Sequence, residues 1–226
     1  MRRYIHIFHS HSATFAAMNA RRIDATVRKL PRQARSIATV DAIVGAAAQV
    51  LVTQGYEGTT TARVAERAGV SVGSLYQYFP NKESLVAELI DRHADDVVGT
   101  ITRVLDDTTH ASLRDGISAA IDAVIGAHRI DPRLHKILNQ EVPRIGRLGK
   151  SMNAEREIAR AFERLLCRHA DELPAGCDPA LAGLVVATVI EAIGHKAVLE
   201  PRCGLAGGAA AREALQVVTR YLMLDR

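Results

Sequence analysis

The stretch Thr60-Thr-Ala-Arg-Val-Ala-Glu-Arg-Ala-Gly69-Val-Ser-Val-Gly-Ser-Leu-Tyr-Gln-Tyr-Phe79 decides how the rest of the chain is read. Thr59, Thr60 and Thr61 offer hydroxyls that cap a helix start, and residues 62–68 follow as a helix of two turns, too short to stand alone. Gly69 suits the left-handed backbone that turns a chain sharply. Ser71 caps a second short segment over 72–79, which Pro80 closes. Val64, Val70 and Leu75 form a small core that fixes the angle between the two helices, and the small Ala65 lies where they cross. This is the spacing of a helix-turn-helix, whose second helix is presented to the major groove of DNA. Short helix pairs also occur as plain packing units, and the composition of the second helix separates the two cases. Ser71, Val72, Gly73, Ser74, Tyr76, Gln77 and Tyr78 put hydroxyls, an amide and small residues where a solvated helix favours Lys and Glu. Small residues let the backbone approach the groove, Gln77 suits a bidentate pair with adenine, and hydroxyls reach bases or phosphates.

Outward from this stretch the pattern is helical throughout. Ile37, Val40, Val44, Ala47 and Leu51 recur at helical spacing over 36–54, with Gly55 as the stop. Asn81 caps a long helix with Leu85, Leu89 and Val97 on its buried face, running to about Thr108. Ser112 opens a helix to about His128, and Asp131-Pro132 and Asp178-Pro179 each pair a cap with proline at the first helical position. Ile158, Phe162, Leu165 and Leu166 mark a helix over 151–169. The helix that starts at Asp178 reaches about Leu199, and a last one covers 209–224 with Leu215, Val218 and Leu222 on one stripe. No segment reads as a strand and no internal repeat occurs, so the expected class is all-α with about nine helices.

The 226 residues, 48% hydrophobic and 24% charged, are a folded chain with volume for a core. The net charge of +4 is unevenly placed: residues 1–35 carry +7 and the remainder −3. Residues 1–34 lack periodicity and read as a flexible basic arm. Residues 36–85 carry −1, so Arg28, Lys29, Arg32 and Arg35 are the natural source of phosphate neutralisation for a DNA-reading head. Three cysteines without CxxC spacing fit a reducing compartment and argue against a disulfide scaffold or a zinc knuckle. The run Ala180–Ile190 is too short to cross a bilayer and reads as a buried helix. The opening Met1-Arg2-Arg3 faintly resembles a signal or transit peptide. His6, His9, Ser10, His11 and Ser12 break the apolar region a signal needs, and the plainest expectation is a native start at Met18 in a cytoplasmic protein.

The one GxSxG match, Gly69-Val70-Ser71-Val72-Gly73, falls inside the helix-turn-helix without the preceding strand that a nucleophile turn needs, and no GxxxxGK[ST], HExxH or GxGxxG motif occurs, so no catalytic residue is assigned and no cofactor is expected. No metal site is assigned; His6-x-x-His9-x-His11 is the one spacing that suits an ion, and it lies in the arm. Two further classes stay open beside the DNA-binding regulator: a helical adaptor whose helix-turn-helix no longer binds DNA, and a helical enzyme without a recognisable motif.

Gly55-Tyr56-Glu57-Gly58-Thr59-Thr60-Thr61, Val64-Ala65, Ala68-Gly69-Val70-Ser71, Gly73-Ser74-Leu75-Tyr76, Tyr78-Phe79 and Asn81-Lys82-Glu83-Ser84-Leu85 together resemble the N-terminal domain of TetR-family transcriptional regulators. The match covers about residues 37–90, with glycines, caps, core and contact positions in one register. The resemblance implies a three-helix DNA-binding domain over 35–82 and a helical regulatory and dimerisation domain over 83–226. It places Thr60, Thr61, Tyr76 and Lys82 at the DNA backbone, with Arg35 just before the first helix, and Ser71, Val72, Gly73, Ser74, Gln77 and Tyr78 at the groove. Val72 stands where some members carry a base-reading polar residue, which leaves the operator sequence open. The resemblance further implies a homodimer built from the last two helices, to which Ala182, Ala187, Leu215, Val218, Tyr221 and Leu222 are assigned, and a palindromic double-stranded operator. A small-molecule effector would sit among helices 85–199, with Phe162, Glu191 and His195 as candidate contacts; Glu191 and His195 equally suit a polar interhelical contact. Scarce aromatics favour an aliphatic or small amphipathic effector, and repression relieved by ligand is the usual family mechanism.

Overall fold

Nine α-helices and one 3-10 turn form among residues 34–140, 147–200 and 208–224, the parts of the chain that the computed structural model describes; no strand occurs among them. Nearly all of the expected basic arm, Cys203 and the His6, His9 and His11 spacing lie outside the described residues. Helix α1 (Ala34–Gly58) buries Val40, Val44, Ala47 and Leu51, while Ile37, expected on the same face, precedes the point where the core begins and is 45% exposed. Gly55 breaks α1 with φ 68° and ψ 178°, a conformation available to glycine, and the Thr59 hydroxyl donates to its carbonyl at 2.8 Å.

The next helices are α2 (Thr61–Ala68), α3 (Val72–Tyr78) and α4 (Lys82–Leu105). A capping box starts α4: Ser84 N donates to Asn81 Oδ1 at 2.7 Å while Asn81 N donates to Ser84 Oγ at 3.4 Å. Then come α5 (Leu113–Arg129), capped by Ser112, and α6 (Pro132–Gln140), where Asp131 Oδ1 accepts from Leu134 N at 2.9 Å. Helices α7 (Arg147–Arg168), α8 (Pro179–Leu199) and α9 (Ala209–Tyr221) complete the order. Several ends differ from the expected ones: α1 continues past its Gly55 kink to Gly58, and α7 starts at Arg147 rather than at 151. Helix α4 stops at Leu105 rather than near Thr108, and α9 stops at Tyr221 because Met223 takes a left-handed backbone, φ 55°.

The buried apolar residues fall into two clusters. One joins α1, α2, α3 and the start of α4 around Ile43, Leu51, Val64, Leu75, Phe79 and Leu85. The other joins the far end of α4 to α5, α7, α8 and α9 around Ile101, Ile117, Phe162, Leu165 and Val186. Helix α4 therefore belongs to both, with Leu85, Val86 and Leu89 in the first and Val98, Ile101 and Leu105 in the second. Helix α6 sends Leu134, Ile137 and Leu138 into the first cluster although it follows α5 in the chain. Arg92 adds a polar tie, donating to Asp41 of α1 at 2.6 Å and to Glu88 at 2.8 Å.

Helices α1 and α8 are long and apolar enough to cross a bilayer by length and composition, yet both supply buried residues to these clusters. The small residues of α8 have a specific use. A Cβ on Gly183 would stand 2.8 Å from Glu163 N and 3.0 Å from Ala159 O, both backbone atoms of α7. Gly183→Ala should therefore destabilise the protein by about 1–3 kcal/mol, the usual cost of overpacking. Urea denaturation measures it, and an unchanged midpoint would contradict the close α7–α8 approach.

Candidate nucleic-acid interface

The reading head is built from local signals. Thr60, extended at φ −131°, accepts from Arg63 N at 3.3 Å and starts α2. Gly69 ends it in the left-handed region (φ 67°, ψ 28°), and Val70 N donates back to Ala65 O at 3.0 Å. Ser71 then caps α3, accepting from Ser74 N at 3.0 Å and lying 2.8 Å from Ser74 Oγ. Leu75 and Phe79 are fully buried, and Val64 and Ala65 meet them from α2, so the angle between the helices is set by packing.

That packing leaves one face of α3 to solvent. Ser71, Val72, Gly73, Tyr76 and Gln77 are exposed and Ser74 is half-buried. Exposure of 42% for Val72 and 41% for Tyr76 is high for large side chains that a monomer could have buried. Thr61 Oγ1 and the Tyr76 hydroxyl lie 3.1 Å apart, tying the start of α2 to the outer face of α3. Tyr78 departs from expectation. Three residues beyond Leu75 it shares the inner face, and at 8% exposure it belongs to the head core rather than to the face bearing Gln77.

The cations of the head are held in place. Lys82 Nζ donates to the Tyr56 carbonyl at 3.2 Å and lies 4.0 Å from the Tyr56 ring centroid. Burial, then the neighbouring Glu83 and Glu57 carboxylates, push the Tyr56 phenol above its ordinary pKa. Arg63 donates to Gly58 O at 2.6 Å and Arg67 to Gln49 Oε1 at 2.7 Å. Arg35, the last arm cation and the one described, is exposed on the first turn of α1.

The expected dimer residues fall on two different surfaces. Ala182, Ala187, Val218 and Leu222 are buried within the protomer and Leu215 is partly buried against the same core. They pack within the protomer, where α8 lies against α5, α7 and α9, and α9 against α5 and α8. Tyr221 is exposed, in company with Leu181, Leu184 and Val217, each 46–57% exposed.

The three candidate effector residues also separate. Phe162 is wholly buried in the body core. Glu191 and His195 instead join three histidines that the sequence reading did not single out. His128 donates from Nδ1 to Val124 O at 2.6 Å and from Nε2 to Glu191 Oε1 at 3.2 Å, and His195 Nε2 lies 3.4 Å from the same oxygen. The ring centroids of His128, His135 and His195 are 4.5, 4.5 and 4.8 Å apart, and His93 Nε2 meets His135 Nδ1 at 3.1 Å. Burial and the neighbouring His128, His195 and His93 push His135 down to about 3. Burial, with His128 as the chief like charge, lowers His93; burial also lowers His195, against the pull of Glu191. Burial opposes charge on His128 and Glu191 too, but their mutual hydrogen bond and attraction prevail, raising His128 and lowering Glu191. The one signal along the sequence was the Glu191–His195 spacing of four on an otherwise apolar helix.

Comparison with known proteins agrees with this geometry. Residues 43–89 match the model described as "Bacterial regulatory proteins, tetR family", and residues 112–222 match "Tetracyclin repressor-like, C-terminal domain". Over 95 residues the chain is 35% identical to the HTH-type transcriptional activator FasR of Mycolicibacterium smegmatis, covering 42% of this chain and 41% of that one. The chain thus spans less than half the length of that relative. A TetR-family transcriptional regulator from Mesorhizobium loti superposes with TM-score 0.66 at 21% identity, covering 85% of this chain and 98% of that one. FadR of Bacillus subtilis, solved in complex with stearoyl-CoA, superposes with TM-score 0.62 at 18% identity, covering 82% and 99%.

The Gly69 turn provides a direct check on how the head is held. No atom lies within 4 Å of a Cβ placed there, so the cost of Gly69→Ala is the left-handed backbone alone, about 1–2 kcal/mol. Thermal unfolding should show that loss; a stability equal to the parent's would mean that the turn is free to relax.

Proposed function

The chain belongs to the TetR family of bacterial transcriptional regulators, and from that premise we propose that it is a dimeric repressor, bound to a palindromic operator and released by a small-molecule effector. The observation that carries this reading is the outer face of α3, where Ser71, Val72, Gly73, Tyr76 and Gln77 are exposed while Leu75 and Phe79 anchor the helix. Gln77 is the candidate base reader. Thr60, Thr61, Tyr76 and Lys82 hold the DNA backbone, Ser74 faces the groove, and Arg35 adds charge beside it. We take 35–82 as the DNA-binding domain and 83–226 as the regulatory and dimerisation domain, in a cytoplasmic protein.

The dimer face in this reading is the exposed stripe of Leu181, Leu184, Val217 and Tyr221 on α8 and α9. A two-fold dimer made there presents two α3 helices to two half-sites. Release follows if the effector prefers the conformation that cannot span both half-sites, since a ligand shifts an equilibrium only by its differential affinity.

Two measurements test the reading. In titrations on an operator fragment, Gln77→Ala should cost about 1–3 kcal/mol on the selected sequence and little on random DNA, while Lys82→Ala should weaken both alike and lower the salt slope by about one. Equal losses for the two variants on both DNAs would remove sequence reading from α3. Leu184→Asp should convert the dimer to a monomer in light scattering and abolish tight operator binding. A dimer that survives this change would move the interface elsewhere.

A further inference from the structure

Three helices meet where α6 crosses from the body to the head core, and each sends an imidazole to one point: His128 from α5, His135 from α6 and His195 from α8. Their ligand-capable atoms all lie within 4.8 Å of one another, and His93 of α4 touches His135 from the other side. Nothing in DNA reading or core packing needs four imidazoles together, and like groups crowded in a semi-buried place are costly unless something compensates. Here the compensation is partial. Glu191 Oε1 lies against both His128 and His195, but Glu191 Oε2 is buried with no hydrogen-bond partner. A carboxylate oxygen between two imidazole nitrogens, with its second oxygen unspent, is a donor set in which protons stand where a cation would.

One donor is already oriented as a metal requires. His128 Nδ1 is engaged by the Val124 carbonyl, which fixes the ring and leaves Nε2 to face the cluster, the outer-sphere arrangement that metal-binding histidines commonly show. Imidazole nitrogen with one carboxylate suits borderline divalent transition ions rather than magnesium or calcium, which favour oxygen. We propose that His128, His135, His195 and Glu191 bind one divalent transition-metal ion of the zinc, cobalt or nickel class, and that this ion acts as an effector of DNA binding. The second half of the proposal rests on the regulator reading above.

The coupling follows from where the ligands are anchored. Four-coordinate binding at bond lengths near 2.0–2.1 Å brings ligand atoms to about 3.3 Å from one another; Glu191 Oε1 is already 3.2 and 3.4 Å from His128 and His195, so it is the three imidazoles, up to 4.8 Å apart, that close around the ion. Those ligands sit on three helices, so closure draws α6 toward α5 and α8. Leu134 and Leu138, flanking His135 on α6, are embedded in the head core with α1. His93 is on α4, the helix that begins at Lys82 immediately after the reading helix. Occupancy of the site is thereby transmitted to the orientation of the head.

The test uses the full chain, stripped of metal with a chelator and dialysed. Titration with Zn2+ by calorimetry, and with Co2+ by its visible ligand-field bands, should give one tight site per chain with the intense absorption of a four-coordinate ion. His195→Gln, on a partly exposed position, and His135→Gln should each weaken binding by about tenfold or more, with circular dichroism confirming that the variants fold. A variant with His6, His9 and His11 all changed to Gln should bind as the parent does. Zn2+ should change operator affinity of the parent at least several-fold and leave that of His195→Gln unchanged. No tight site, or one that survives both cluster substitutions, or one lost with the three N-terminal histidines, overturns the metal site. A cluster site that binds Zn2+ with no change in operator affinity overturns its role as effector. If the parent fails to bind any DNA, the regulator reading fails while the titrations still decide the site.

Discussion

Seven residues of helix cannot hold themselves, and the orientation of α3 is the constraint on which this molecule depends. Its stability is borrowed. Ser71 caps one end, the left-handed Gly69 aims it, and Leu75, Tyr78 and Phe79 fix its inner face in a core shared with α1, α2 and α4. Because the inner face does most of the anchoring, the outer face, apart from the Thr61–Tyr76 contact, is free to carry side chains that contribute little to folding. An exposed Val72, a free Gln77 and a glycine at position 73 would be poor choices for stability alone. They become sensible once that face has a partner of its own.

The same dependence explains how the body can govern the head. Lys82 follows α3 after three residues, so α4 cannot shift without carrying the reading helix, and α4 is rooted in both cores. Helix α6 is a second bridge, chemically unlike the first: its apolar side belongs to the head and His135 belongs to the polar cluster of the body. Two rigid connections between one head and one body form a lever. In the proposed mechanism, a ligand that changes the separation of α5, α6 and α8 changes the angle at which α3 is presented.

How much of this was legible in the sequence divides along locality. The head was readable almost to the residue because its determinants are neighbours in the chain: Thr60, Ser71 and Asn81 as caps and Gly69 as turn. Tyr78 was misplaced because a hydroxyl suggests a surface, whereas the three-residue offset from Leu75 puts it inside. The small residues of α8 are ambiguous for a related reason. Ala182, Ala187 and Gly183 permit close approach, but the sequence does not say to what; Gly183 meets α7 of the same chain, and the two alanines are buried within the protomer. The histidine cluster was hidden more thoroughly. His93, His128, His135 and His195 come from four helices, and only their packing brings them together.

The central claim is that α3 reads DNA as one of a symmetric pair. Selection of bound fragments from sheared genomic DNA by the purified full-length protein, followed by sequencing, tests it most directly. A symmetric pair of reading helices should enrich a few sites that share an inverted repeat, with half-sites spaced so that two α3 helices reach the same face of the duplex. Recovery of fragments with no common repeat, at the level of a non-specific basic protein, would contradict it.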